Sequence, residues 1–380
     1  MTVEIVPVRD KAELKAFIDV PVSIYSDDPA WCRPLDSEIR DILDRTKNPY
    51  FDHAEAEAWI ARRDGRAIGR ITAQVDRFVQ EHMGQGTGQF GFFETIDDLE
   101  VSKALLDTAH DWLKARGMNR SLGPFSLGIW DEIGVLVEGF EHPQVVMTPH
   151  ARPYYIQHLM AHGYAKEKDL LAFLLLDSKE KFSQGIPLVK AFEKNPKFKF
   201  RMIDMHRFKE EVALILDIIQ DAWSQNWGFV PMTDREVMYA ALKLRPIISR
   251  NYVWICEFEG EAVGFIITIP DVNEIIRDFH GKLGFMNGIK LLWRLYKKQV
   301  SKARTPLMGV RKSLQQKREG ALVGVALIEY SRRSHSNTGS YMADAIDLSW
   351  ILEDNSAIIK ILEKIESEIY KRWRIVSRPI

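Results

Sequence analysis

The chain has 380 residues, 46% apolar and 28% charged, enough for two domains with cores of their own and no need of disulfides or a structural metal. Lys and Arg total 52 against 53 Asp and Glu, a formal charge of −1, so no overall field draws in nucleic acid or an anionic surface and electrostatic recognition has to be local. The cysteines, Cys32 and Cys256, lie far apart and outside any metal-ligand spacing, which excludes a disulfide scaffold and a zinc ribbon and points to a reducing compartment. The first residues lack the basic start and apolar run of a signal peptide, and the longest apolar stretch, 170–176, is far short of the roughly 20 residues that cross a bilayer. A cytoplasmic protein is expected.

Helical spacing of apolar residues predicts a helix over Lys11–Ile24. Residues 58–69, Ala-Trp-Ile-Ala-Arg-Arg-Asp-Gly-Arg-Ala-Ile-Gly, read as two strands about an Asp-Gly turn, a tight-hairpin signal. Gly86-Thr87-Gly88-Gln89-Phe90-Gly91 matches G-x-G-x-x-G but runs into the strand-like Phe92-Phe93-Glu94-Thr95, not a helix, so it reads as a flexible loop and not a dinucleotide site. A helix over 98–116, a strand, a helix over 153–162 and a strand over 169–176 follow. His158 and His162 stand four apart, a spacing that suits zinc, yet Leu159 replaces the Glu of H-E-x-x-H and no third ligand is evident, so no metal is expected. A Lys-, Ser-, Gly- and Pro-containing stretch at 177–197 marks a boundary between domains 1–177 and 178–380.

The pattern then returns. Trp59, Gly65 and Gly69 recur at one constant offset as Trp254, Gly260 and Gly264, after helices over 210–223 and Asp234–Leu244 and before a strand, a helix over 320–333, a strand, a helix over 355–370 and a strand over 373–376. Each half reads as an α/β arrangement on a mixed sheet. The second half alone carries an insertion at 270–305. There Ile289, Leu292, Trp293, Tyr296 and Val300 share one helical face, and eight Lys or Arg lie between Arg277 and Arg304 against one acidic residue.

Lys317-Arg318-Glu319-Gly320-Ala321 sits between a strand at 307–311 and a helix, where free N–H groups and the helix dipole suit an anion; a solvated surface turn is the plain alternative. The strand order, the Gly-tipped hairpins and this basic turn resemble the GNAT acyltransferase superfamily, whose acyl-CoA site uses [Gln/Arg]-x-x-Gly-x-[Gly/Ala]. The copy here departs from it, with Lys317 at the first position and Leu322 at the last. The first half has the acidic Glu94-Thr95-Ile96-Asp97-Asp98 at that place and is read as lacking the cofactor site. Gly91-Phe92-Phe93-Glu94, Gly123-Pro124-Phe125, Gly134-Val135-Leu136-Val137-Glu138-Gly139-Phe140, Pro153-Tyr154-Tyr155 and Ser349-Trp350-Ile351-Leu352-Glu353-Asp354-Asn355 resemble uncharacterised bacterial proteins with two GNAT-like domains, and the chain is also similar to bacterial ceramide-forming N-acyltransferases.

The resemblance implies two tandem GNAT-like domains, each a mixed, mostly antiparallel sheet flanked by helices. It implies an N-acyltransferase with its catalytic site in the second half, moving an acyl group from acetyl-CoA or a longer acyl-CoA to a small-molecule or lipid amine by direct attack, with no metal and no nucleic acid. Met308, Gly309 and Val310 would line the thioester arm, and Lys317, Arg318, Gly320 and Ala321 would hold the pyrophosphate. Leu159 and Leu362 stand where the superfamily's acidic Tyr is usual, so either the thiolate would leave unassisted or a group such as Tyr341 or Tyr370 would serve. Asp344, Asp347 and Asp354 are the base candidates, Asp347 preferred; Asp354 and Asn355 could equally cap the last helix. Glu94, Tyr154 and Tyr155 would bind the acceptor or seal a domain interface. The inserted segment would contact an inner membrane through 286–304, cover an acyl chain with Trp293, grip phosphates, or pack as a lid with a solvated Lys face. A non-catalytic GNAT-like binding or scaffold protein is the rival reading.

Overall fold

A computed structural model describes residues 2–176, 189–190, 192–248, 250–297, 300–315, 317–337 and 344–380. Tyr341 lies outside the described residues. The chain divides into two compact units, Met1–Leu170 with Arg277–Asn287 and Lys371–Ile380, and Leu171–Ile276 with Gly288–Tyr370.

In unit 1, strands β1 (Glu4–Pro7), β2 (Ala54–Arg63), β3 (Arg66–Asp76) and β4 (Thr87–Thr95) pair antiparallel in sequence order. β5 (Arg120–Gly123) joins β4 in parallel, and the last strand, β13 (Glu368–Pro379), joins β5 antiparallel. β6 (Val135–Glu138) also pairs β13, and β7 (Ala165–Leu176) follows β13 in the sheet order. The β2–β3 turn puts Asp64 at φ 51° and Gly65 at φ 75°, the left-handed pair that matches strand twist in a two-residue hairpin. Helices α1 (Lys11–Ile24), α2 (Asp36–Leu43), α3 (Arg77–His82), α4 (Leu99–Lys114) and α5 (Tyr154–Ala161) complete the unit. Asp98 caps α4 by accepting the Glu100 N–H, and Val101, Leu105, Leu106, Ala109 and Leu113 turn one buried stripe to the sheet.

The Gly86–Gly91 motif is not a loop: β4 begins at Thr87, and its glycines are there for close packing. A Cβ on Gly91 would stand 1.5 Å from the carbonyl oxygen of Phe125, so only Gly allows that approach. The strand expected at 373–376 is longer, Glu368–Pro379, and its residues from Lys371 onward belong to unit 1. Trp373 is fully buried and its indole N–H donates to Pro149 O at 2.9 Å.

In unit 2, β12 (Ala345–Leu352) lies between the end of β7 and β11 (Lys302–Val310), which it joins in parallel. β10 (Glu261–Pro270), β9 (Val253–Phe258) and β8 (Phe198–Met202) continue antiparallel. Glu259 at φ 51° and Gly260 at φ 92° repeat the unit 1 hairpin turn. The helices are α6 (Phe208–Trp223), α7 (Asp234–Leu244), α8 (Asn273–Ile276), α9 (Phe285–Tyr296, which begins in unit 1's segment), α10 (Lys312–Gln315), α11 (Arg318–Asn337) and α12 (Ser356–Lys364). A capping box of Thr233 and Glu236 starts α7. The helix expected over 355–370 stops at Lys364: Glu366 turns left-handed at φ 57° and the Ser367 N–H folds back to Leu362 O, a C-terminal stop signal. No described helix is long and apolar enough to cross a membrane.

In unit 1, β13 is tied to β7 by a charge cluster. Arg374 donates to both oxygens of Asp169 at 2.8 and 2.9 Å, and Lys166 lies 3.1 Å away. Burial alone would raise the Asp169 pKa, but the hydrogen bonds from Arg374 and Lys166 hold it below its usual 3.8. This stabilisation is complete above the ordinary carboxylate range and is lost as pH falls through the lowered pKa. Asp169→Ala should destabilise the protein by about 2–3 kcal/mol in chemical denaturation, short of a fully buried pair because Arg374 is a quarter exposed. An unchanged midpoint would show that this pair contributes nothing.

Candidate functional site

The site in unit 1 begins where two parallel strands part. Thr87, Gly88 and Gln89 of β4 pair with Arg120, Ser121 and Leu122 of β5, the Phe125 N–H still reaches Phe90 O at 2.7 Å, and beyond Gly91 no pairing between these segments remains among the described residues. Beyond that point β4 bulges: Thr72 faces Gly91 and Arg70 faces Glu94, leaving Phe92 and Phe93 opposite Ile71 alone. Phe92 adopts φ 45°, a strained left-handed conformation for an aromatic residue. Bulges re-aim side chains, and here Phe92, Phe93 and Glu94 all line a pocket. Pro21, Trp31, Pro34 and Ile39 give it an apolar wall around α1 and α2, and Pro124, Ser126, Glu132, Gly134 and Val135 line it along the β5–β6 connection.

Its charges are few and buried. Arg70 lies over the rings of Phe17 and Phe92, at 4.9 and 5.3 Å, donates to Phe17 O at 3.1 Å and stands 3.7 Å from Glu94 Oε1. Glu94 Oε2 accepts from the hydroxyls of Tyr25 at 2.7 Å and Tyr155 at 2.6 Å. Burial raises the Glu94 pKa above the usual carboxylate range, and Arg70 and the two hydroxyls offset only part of that. Tyr25 and Tyr155 are pushed well above 10, by burial first and then by the Glu94 charge, so both stay protonated as donors. Glu132 is raised to about 7, again by burial first, with Glu38 and Glu94 adding to it.

Across the pocket, His150 Nε2 lies 2.8 Å from Asp28 Oδ2, with the His150 side chain 1% exposed. Burial lowers the His150 pKa against the pull of Asp28. Burial would raise Asp28, but the hydrogen bond and charge of His150, with the Ala30 N–H and Arg152, hold it low. The pair is therefore a neutral imidazole donating Nε2–H to a carboxylate, which leaves the lone pair on Nδ1. That atom is buried and has no hydrogen-bond partner among the described residues. An unmet buried acceptor costs about 1–3 kcal/mol and calls for an explanation.

Of the residues expected from the sequence, Glu94 and Tyr155 meet in this pocket, while Tyr154 donates to Thr95 O at 2.7 Å and is tied to the main chain. His158 bonds Asp97 at 3.0 Å. The start of α4 carries Asp97, Asp98 and Glu100, which repels a diphosphate.

In unit 2, β11 and β12 pair in parallel over 302–305 and 345–348 and then part in the same way. Asp347 is buried and fully engaged: Oδ2 accepts from Tyr370 at 2.5 Å, and Oδ1 accepts from Ser349 and lies 3.5 Å from Arg304. Arg304 also stacks over Trp350 at 4.8 Å. Burial and the Asp347 charge push the Tyr370 hydroxyl far up, so it is a fixed donor. Met308 O accepts from the Trp223 indole at 3.2 Å, and Gly309 and Val310 pair with Phe265 and Gly264. Lys317 and Arg318 are exposed where α11 starts, with Ala321 in its first turn. The Leu314, Gln315, Lys317 and Gly320 amides bond back within the turn, where a Cβ on Gly320 would lie 2.1 Å from Leu314 O. Asp344 is exposed next to β12, and Asn355 caps α12 through the Ile358 N–H. Trp293 stands on α9, half exposed, away from the pocket lining.

Sequence reasoning missed Arg70, Asp28, Glu132 and His150. His150 and Asp28 are 122 positions apart and form no spacing motif; the one local signal is a His placed between Pro149 and Pro153.

No family model matches the chain. It is 39% identical over 371 residues to protein YghO of Escherichia coli strain K12, covering 98% of this chain and 94% of that one. It is 37% identical over 384 residues to the bacterial ceramide synthase of Caulobacter vibrioides, covering 99% and 97%. Among solved structures, a tandem GNAT protein from the clavulanic acid biosynthesis pathway aligns at TM-score 0.58 and 14% identity over 100% of this chain and 98% of its own. A GCN5-related N-acetyltransferase from Sphaerobacter thermophilus aligns at 0.55 and 10% over 99% and 95%. The fold is thus that of the GNAT superfamily in tandem. The stretches around Gly91, Gly123, Gly134 and Pro153 that resemble the bacterial tandem proteins each contribute to the unit 1 pocket lining.

Tyr155→Phe removes a hydrogen bond that lowers the Glu94 pKa, so a carboxyl carbon NMR titration should show Glu94 titrating at higher pH than in the wild type. A downward shift or none would contradict the assigned bond.

Proposed function

Because the chain belongs to the family of the Caulobacter bacterial ceramide synthase and YghO, we propose that it is an N-acyltransferase that joins an acyl group from a CoA thioester to an amine in the unit 1 pocket, with the CoA diphosphate held away from the acidic start of α4. The observation that carries this reading is the buried His150 Nδ1 lone pair, oriented by Asp28, in the same pocket as the Glu94 carboxylate. A ceramide is the amide of a long-chain amino alcohol and a fatty acid. The cavity, about 70 Å³, has room for the amine end of such an acceptor, with Glu94 at one side for the ammonium and Pro21, Trp31, Pro34, Ile39 and Phe92 as apolar lining for the start of its chain.

In this mechanism Glu94 attracts the ammonium and fixes its place. His150 Nδ1 takes one proton from it, and Asp28 stabilises the imidazolium that forms. The amine nitrogen attacks the thioester carbonyl carbon, the C–S bond breaks, and the second proton passes from nitrogen to the departing sulfur. The β4 bulge takes the main chain of Phe92 and Phe93 off the β3 ladder, where its N–H groups would polarise the thioester carbonyl. The GNAT fold, shared with an N-acetyltransferase, supports CoA as the carrier. The scaffold reading gives no reason to keep an unmet acceptor and two raised carboxylates in one pocket.

Purified protein, a long-chain acyl-CoA and a long-chain amino alcohol should give amide at a rate set by these groups. His150→Gln should lower kcat by about 10²–10⁴ with KM for the amine little changed. Glu94→Gln should chiefly raise that KM. Because burial keeps His150 neutral, the acidic limb of kcat should fall below the ordinary histidine value of 6.5. Full activity in His150→Gln would overturn its role as base.

One observation favours a second reading, with transfer in the unit 2 cleft: of the two equivalent helix starts, only that of α11 is basic, through Lys317 and Arg318. In that case Lys317→Glu with Arg318→Glu should weaken acyl-CoA binding at least about tenfold in titration calorimetry, and Glu94→Gln should leave turnover intact. Unchanged affinity in the double variant would remove this reading.

A further inference from the structure

Helix α9 has no buried residue along its length. Phe285, Met286, Ile289, Leu292, Trp293 and Tyr296 are 83%, 72%, 50%, 63%, 51% and 79% exposed. At 3.6 residues per turn these six fall within about a third of the helix circumference. The sequence predicts this stripe, with Val300 as its last member, but the helix ends at Tyr296 and Val300 is buried. The other side is held down: Leu291 and Leu295 are half-buried, and the Arg294 guanidinium donates to Ile275 O. The apolar face is therefore turned outward by the way the helix is anchored, and a contiguous exposed stripe of this kind marks an interaction surface.

The charge around it selects the partner. Arg277 donates to the carbonyls of Pro29 and Trp31, Arg304 is buried and Lys282 lines a pocket with Asp19 and Asp36, while Lys290, on the helix itself, and Lys297, at its end, are exposed at the edge of the stripe. No Asp or Glu occurs from 279 to 304. A second copy of the chain would bring the same lysines against each other, which like-charge repulsion opposes. A Trp and a Tyr among bulky apolar side chains, edged by lysines on a helix that carries no acid, match the boundary between anionic headgroups and acyl chains. We propose that α9 docks the protein on an anionic bilayer surface, with the Phe285–Tyr296 stripe in the headgroup boundary and Lys290 and Lys297 on lipid phosphates.

The test is sedimentation of the full chain with vesicles in the absence of any thioester or amine, so its outcome is independent of acyl transfer. The wild type should pellet with vesicles of equal parts phosphatidylglycerol and phosphatidylcholine, should not pellet with phosphatidylcholine alone, and should bind at least about tenfold more weakly in high salt. Leu292→Asp with Trp293→Asp should abolish binding with no loss of Tm, since both side chains already face water. Lys290→Glu with Lys297→Glu should weaken it at least about tenfold. The proposal is overturned if the wild type stays in the supernatant with anionic vesicles, if either double variant binds like the wild type, if neutral vesicles bind equally well, or if light scattering shows a dimer that the Asp variant dissolves while vesicles are ignored.

Discussion

Arg70 and Glu94 share a buried site, and the free-energy cost of keeping charge there governs much of unit 1. Taking an isolated ion pair out of water costs several kcal/mol per ion unless each partner is matched. The structure matches them in part: aromatic faces flank the guanidinium, a main-chain carbonyl accepts from it, and two tyrosine hydroxyls hold one carboxylate oxygen, while Arg70 Nε has no hydrogen-bond partner among the described residues. What is left over shows in the raised pKa values of Glu94 and Glu132. A stable core has no use for such residual tension, whereas a site that must bind an ammonium and move its proton does.

The β4 bulge is the local device that makes this possible. Gly91 lets the backbone pass the Phe125 carbonyl, the extra residue at Phe92 shifts the register, and Glu94 then points into the pocket beside Phe93. Unit 2 repeats the parting strands, but its buried carboxylate, Asp347, is consumed by Tyr370, Ser349 and Arg304. Both units thus hold a buried carboxylate between two hydroxyls and a guanidinium, and what sets unit 1 apart is the unmet His150 Nδ1 in the same pocket, which illustrates why fold alone does not fix chemistry.

Local signals were legible in the sequence. The two Gly-tipped hairpins and the helices over 98–116 and Asp234–Leu244 follow from turn chemistry and apolar period. Glu94 and Tyr155 were marked as site residues, though without the contact between them. Pairings between distant segments were not legible, since Asp28 with His150, and Arg70 with Phe17 and Glu94, depend on the completed fold. Period also cannot say which way an apolar face turns. The α9 stripe reads the same in sequence whether it packs on a core or faces solvent, and anchoring at Arg294 decides the matter.

The central claim is amide formation by direct transfer, and it is tested most directly by measuring both products together. The purified full chain is incubated with a long-chain acyl-CoA and a long-chain amino alcohol, amide is quantified by mass spectrometry, and free thiol is quantified in the same samples. The account predicts that amide and thiol appear in equal amounts and that both depend on the amine. Thiol released without amide, or no thiol at all from a folded protein, would contradict it.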